Sequence, residues 1–257
     1  MTDKICILFC RCGGWAATPN EFNNISEALH KIDAHVFEIN DMCAFSINDK
    51  DVLQSINTSY KQKVIIACYP RAVKGIFSQT DTTFDNYSVI SFKETPENSI
   101  IEKLFNDFGI KNGKADYRII NTALAVPAWF PVVDQTLCTA CGQCARFCLF
   151  GVYKLEKGKL TVVNPLSCKN KCPACGRTCP SSAIMFPRLE EKTPLAGAEP
   201  GQKNEQDIGK NSNLFVMLNE RNRKNKNIFA ENIMQLAEEE RKKALDELKK
   251  DSLKNKQ

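Results

Sequence analysis

Two short runs of cysteine constrain this chain more than anything else in it. The first is Cys138-x2-Cys141-x2-Cys144-x3-Cys148; the second is Cys168-x3-Cys172-x2-Cys175-x3-Cys179, followed by Pro180. Four thiolates packed into about a dozen residues, twice, suit a cubic four-iron centre. Three close cysteines in one loop wrap three corners, and the fourth corner must be reached from a distance. Zinc sites more often show two C-x2-C pairs separated by a spacer, so zinc is the secondary reading.

These runs resemble a bacterial-type two-cluster ferredoxin domain, a small α+β unit, over about 127–187. The resemblance implies two [4Fe–4S] clusters with crossed ligation, in which the last cysteine of each run serves the other cluster. Cys138, Cys141, Cys144 and Cys179 would hold one, and Cys168, Cys172, Cys175 and Cys148 the other. Two departures stand out: Leu149 replaces the usual proline after Cys148, and three residues rather than two separate Cys168 from Cys172.

The segment before this region has another texture. Runs such as "KICILFC", "AHVFEI", "KVIIAC", "NYSVISF" and "DYRIIN" read as strands; "NEFNNISEALHKI", "NDKDVLQSINTSY" (Asn48 its cap) and "PENSIIEKLFNDFG" read as helices, with a further short helix from Arg71. Alternation of that kind predicts a parallel α/β sheet of Rossmann or flavodoxin-like type over 1–126. A polar linker is expected over 188–226. A charged helix over 227–257, capped by Asn227, would lie in solvent or dock on a partner through Ile228, Ile233, Leu236, Leu245 and Leu248.

The remaining five of the 13 cysteines fall in the first segment. Cys10 ends the first strand, Cys12 follows it, Cys43 lies in the loop after the second strand, and Cys68 ends the third. In a parallel sheet all four converge on the carboxyl edge, where such sheets bind ligands. Cys6, four residues before Cys10 on the same strand, reads as core. The segments "ILFCRCGG", "DMCAF" and "VIIACYPRAVKGIF" resemble the N-terminal domain of the heterodisulfide reductase A subunit family, which implies a third [4Fe–4S] cluster on Cys10, Cys12, Cys43 and Cys68. A metal-free thiol set and a zinc site stay open as alternatives.

Other chemistries lack their residues. Gly13-Gly14 is not followed by a third glycine in register, and no phosphate-binding G-x-x-x-x-G-K-[ST] occurs, so neither flavin nor nucleotide is expected. With His30 and His35 the only histidines, both on one helix-to-strand segment, no catalytic triad can be built and no catalytic residue is assigned. No apolar run is long enough for a membrane span. The abundance of thiols without a secretory signal suggests a cytoplasmic protein.

Residues 137–189 hold 8 Lys+Arg against 1 acidic residue, which suits an acidic partner surface as well as the clusters' own negative charge. The expected function is one-electron transfer between redox partner proteins: flavoprotein, hydrogenase or disulfide-reductase subunits. The alternative is a catalytic thiol/disulfide oxidoreductase subunit using the N-terminal thiols. Nucleic acid is not an expected partner, since no helix-turn-helix signal accompanies the basic residues.

Overall fold

In the computed structural model, residues 5–12, 18–124, 129–200 and 231–254 are described. Five strands form one parallel sheet: β1 (Cys6–Cys10), β2 (His35–Ile39), β3 (Lys63–Ala67), β4 (Tyr87–Ser91) and β5 (Asp116–Ile120). The order is β4-β3-β1-β2-β5. The chain winds from β1 to β2, then crosses back to place β3 on the other side of β1. The crevice at this reversal lies at the carboxyl end of β1, where the first two thiols stand.

The central strands are buried on both faces, so "CILFC" and "KVIIA" are continuous apolar runs rather than alternating ones. One face is covered by α1 (Pro19–Leu29) and α5 (Glu97–Phe108), which turn Phe22, Ile25, Leu29, Ile100 and Leu104 inward. Helix α1 begins with a reciprocal cap: Thr18 Oγ1 accepts the Glu21 N–H at 3.3 Å, and Glu21 Oε2 accepts the Thr18 N–H at 2.7 Å. Helix α5 stops at Gly109, whose φ of 66° is the left-handed turn that glycine adopts without strain.

The other face is covered by α2 (Met42–Asn48), α3 (Lys50–Ser59) and α4 (Pro70–Gln79). Two elements here differ from the expectation. Cys43 is in the first turn of α2 rather than in a loop, and Asp49, not Asn48, separates α2 from α3. Helix α2 is buried on nearly every side, so it has no polar stripe to announce it.

The cysteine-rich part repeats one small plan twice. β6 (Val132–Val133), α6 (Gln143–Phe147) and β7 (Tyr153–Glu156) form one half; β8 (Lys159–Val162), α7 (Ala174–Arg177) and β9 (Ile184–Met185) form the other. β6 pairs antiparallel with β9, and β7 with β8. This unit seats on α4, where Gly75 allows close approach: a Cβ there would stand 2.6 Å from Val132 Cγ1. Phe130, Val132 and Met185 enter the same buried cluster as Leu8 and Ile65 of the sheet and Phe45 of α2.

Residues 188–200, read from sequence as linker, are folded. A 3-10 turn at Pro194–Ala196 buries Ala196 completely, and Lys93 Nζ holds this strap by donating to the carbonyls of Pro187 (2.9 Å) and Leu189 (2.7 Å). The rest of the expected linker, 201–226, and Asn227 and Ile228 lie outside the described residues.

The last helix, α8 (Glu231–Lys254), lies on α7. Its buried face is made by Ala237 and Ala244, while Ile233, Leu236 and Leu248 point outward, reversing the stripe expected from sequence. Alanines allow α8 to come close enough for Arg177 to bond Glu240 at 2.8 Å and for the Arg241 guanidinium to lie 4.9 Å above the Phe147 ring. Among the described residues no helix is long and apolar enough to cross a membrane.

Candidate iron–sulfur and thiol sites

The two cysteine runs each fold into a loop followed by one turn of helix. Both loops pass through a left-handed residue just before their second cysteine: Ala140 (φ 53°) before Cys141 and Lys171 (φ 61°) before Cys172. The extra residue in the second run is therefore taken up ahead of that turn, while the residues after it differ: Gly142 is left-handed at φ 74° and Pro173 has φ −92°.

The fold brings the eight thiols together as two crossed sets. The Cys138 thiol is pushed up by burial and then by Cys179 and Cys141; the Cys144 thiol is pushed up to about 12 by burial, then by Cys179, Cys141 and Cys138. In the second set, burial raises Cys168, and Cys172 and Cys148 add to it; burial also raises Cys175, with Cys168, Cys148 and Cys172 adding to it. Each run's fourth cysteine has thus crossed to the other run.

Donors aim at these sulfurs. Cys179 Sγ accepts the Ala183 N–H at 3.2 Å, and the Tyr153 hydroxyl stands 3.1 Å from Cys175 Sγ. Backbone N–H groups of Ala140, Ala145 and Ala174 serve Cys138, Cys144 and Cys172. Such donors favour thiolate over thiol, and metal binding completes the deprotonation that burial opposes. Cys141 is exposed and marks the open side of the first set.

A third group gathers at the carboxyl edge of the sheet. Cys10, Cys12, Cys43 and Cys68 are between 3% and 9% exposed. Cys10 Sγ accepts the Cys12 N–H at 3.3 Å and the Met42 N–H at 3.2 Å. The Cys12 thiol is raised first by its hydrogen bond with Cys68 and then by burial; the Cys43 thiol is raised by burial, then by Asp41 and Cys12. Cys12 itself is left-handed, with φ 50°, a strained setting for a residue other than glycine. Between the two thiols, Arg11 anchors the loop through Nη1 to Glu38 at 3.0 Å and Nη2 to Asn23 at 2.5 Å. Cys6 is wholly buried apart from the group.

Sequence spacing gave no sign of three charged neighbours. Asp41 caps α2, its Oδ1 accepting the Cys43 N–H at 3.1 Å. Arg188, from the strap, forms a buried ion pair with Asp41. Lys93 also acts electrostatically on Cys68 and Cys12. The sheet edge is consequently covered rather than open. Near it, Tyr69 Oη and the Arg188 Nε and Nη1 atoms are buried without hydrogen-bond partners among the described residues.

The donor chemistry of all three groups fits an iron–sulfur centre: soft sulfur ligands, N–H groups directed at sulfur and little water. Among the described residues, no group of three or more His, Cys, Asp or Glu side chains is arranged to hold a single metal ion. A cube takes one thiolate per iron at its corners, so its thiolates stand farther apart than those sharing one ion.

Over 68 residues, 26% of the chain, the sequence is 43% identical to an uncharacterized ferredoxin of Methanocaldococcus jannaschii. That similarity supports a ferredoxin-type domain. The match covers 45% of the relative, so the chain spans less than half of that ferredoxin's length. No family model matches the chain, and no solved structure matches it.

Proposed function

We infer that the chain is an iron–sulfur electron-transfer protein or subunit. Cys138, Cys141, Cys144 and Cys179 would hold one [4Fe–4S] cluster, and Cys148, Cys168, Cys172 and Cys175 a second. Cys10, Cys12, Cys43 and Cys68 would hold a third, as the N-terminal resemblance to the heterodisulfide reductase A subunit family implies. The crossing of Cys148 and Cys179 between the two runs carries this reading, because crossed ligation requires the fold to exchange those two residues. The ferredoxin similarity independently supports the iron–sulfur electron-transfer role.

The clusters supply one-electron redox chemistry. The protein's part is to bind them and set their surroundings. Buried walls exclude water from Cys144, Cys172 and Cys175, N–H and O–H donors lower the electron density on their sulfurs, and exposed lysines such as Lys157, Lys159 and Lys171 favour acidic redox partners. With every sheet-edge thiol at most 9% exposed, turnover of an external disulfide there would require the strap to open. Electron relay therefore takes precedence over thiol catalysis.

Iron and acid-labile sulfide per chain test the reading on anaerobically purified protein. About twelve irons, falling to about eight in Cys10→Ser/Cys68→Ser, are expected for three four-iron clusters. About eight in both proteins would remove the third cluster, and a chain that binds zinc in place of iron would remove the function.

A further inference from the structure

Arg188 is 4% exposed and follows the last cysteine run, in the strap that covers the sheet edge. One side of its guanidinium fork is satisfied by Asp41 through Nη2. The other N–H groups, on Nε and Nη1, are buried and unpartnered among the described residues. Guanidinium donors deprived of both water and acceptors are costly, and folded chains rarely leave them so.

The surroundings of those donors define what would satisfy them. Asp41, the partner of Arg188, also accepts the Cys43 N–H at 3.1 Å, so the guanidinium is fixed at the start of the helix that carries Cys43. Lys93 also acts on the site, but its ammonium already donates to Pro187 and Leu189. Among the described residues Arg188 thus keeps two buried nitrogens without acceptors, within electrostatic reach of Cys12 and Cys43. The group required is anionic and rich in sulfur acceptors.

We propose that Arg188 is a positioning residue for the sheet-edge iron–sulfur cluster, giving its Nε and Nη1 N–H groups to cluster sulfur and raising that cluster's potential. This rests on the reading that Cys10, Cys12, Cys43 and Cys68 hold a cluster. A reduced cluster carries one more negative charge than an oxidised one. A cation with two directed donors in a water-poor site favours the reduced state. Because Arg188 comes from the end of the cysteine-rich part, that part sets the potential of a site built by the sheet.

The experiment is a redox titration followed by electron paramagnetic resonance on the anaerobic full-length chain, with iron counted in every sample. The proteins are wild type, Arg188→Lys, Arg188→Gln and Asp41→Asn/Arg188→Gln. The double variant removes the ion pair without leaving a buried lone charge, and asparagine still caps α2. In Arg188→Gln one of three midpoints is expected to fall, its reduced-to-oxidised ratio dropping about tenfold, or about 59 mV for one electron, while the other two stay; in the double variant, which loses the Asp41 charge as well, the same midpoint falls by less. The Lys variant is expected to show a smaller fall of the same midpoint, and it decides the matter if the Gln variants lose four irons. Twelve irons with all midpoints unchanged would overturn the role of Arg188. Eight irons in wild type would overturn the cluster reading beneath it, a result distinct from the first.

Discussion

Arg71 Nε lies 2.7 Å from Asp134 Oδ2, joining the second residue of α4 to the residue that follows β6. The same guanidinium donates to the carbonyls of Pro194 (3.2 Å), Ala198 (3.1 Å) and Ser182. One side chain therefore ties the sheet, both ends of the cysteine-rich part and the strap. Arg71→Ala would leave Asp134 and three carbonyls without their donor. The expected loss is about 3 kcal/mol, the low end for a broken buried pair because Asp134 keeps some contact with solvent. Denaturant unfolding of the anaerobic protein measures it; a loss below about 0.5 kcal/mol would mean the seam is held elsewhere.

Gly75 sets how closely the two parts meet. In Gly75→Ala the new Cβ meets Val132 Cγ1 at 2.6 Å and Met185 Cε at 3.2 Å. Overpacking of this kind costs about 1–3 kcal/mol. The variant should keep its iron but unfold at lower denaturant. An unchanged midpoint would show that β6 can shift freely on α4.

The Tyr153 hydroxyl, 3.1 Å from Cys175 Sγ, is a donor to a thiolate when that cysteine is a ligand. Tyr153→Phe removes the donor and keeps the ring. A hydrogen bond of about 1 kcal/mol corresponds to about 40 mV for one electron, since tenfold is about 59 mV. That cluster's midpoint should fall by this amount with iron content unchanged. A rise, or no change, would remove the hydrogen bond from the account.

Helix α8 should hold more tightly in mild acid. Burial raises the Glu240 carboxyl above its ordinary value, against the lowering effect of Arg177, and its Oε2 has no partner among the described residues. Docking then takes up a proton. The docked state gains as pH falls through the raised docked value toward the ordinary glutamate value, and loses that gain as pH rises back through it. Glu240→Gln should abolish the dependence and leave docking at pH 7 as strong or stronger, with Glu191 still 2.6 Å from Arg177. Hydrogen exchange across residues 233–250 between pH 5 and pH 8 reports it. Faster exchange in the Gln variant would reverse the sign.

The sheet was legible because buried parallel strands are unbroken apolar runs and the helices between them carry stripes and stops, Gly109 among them. Helix α2 was not, since "MCAFSIN" is surrounded by protein and has no polar side. The face of α8 was misjudged for a related reason. Hydrophobicity ranks Leu236 and Leu248 above Ala237 and Ala244, whereas close contact with α7 depends on smallness. The thiols announced themselves by spacing and by the rule for sheet edges. Asp41 and Arg188 did not, because 147 residues separate them and only the closed fold brings them together.

The strap that seals the sheet edge is made late. β5 ends at Ile120, but Arg188 is 68 residues further along. At about 5–20 residues per second of synthesis, the strap emerges roughly 3 to 14 s after the sheet's last strand. Through that interval the four edge thiols lack their cover. The cluster proposed for that edge would be loaded onto a nascent, uncovered site, and a finished chain stripped of it would refill the site more slowly than it was first filled.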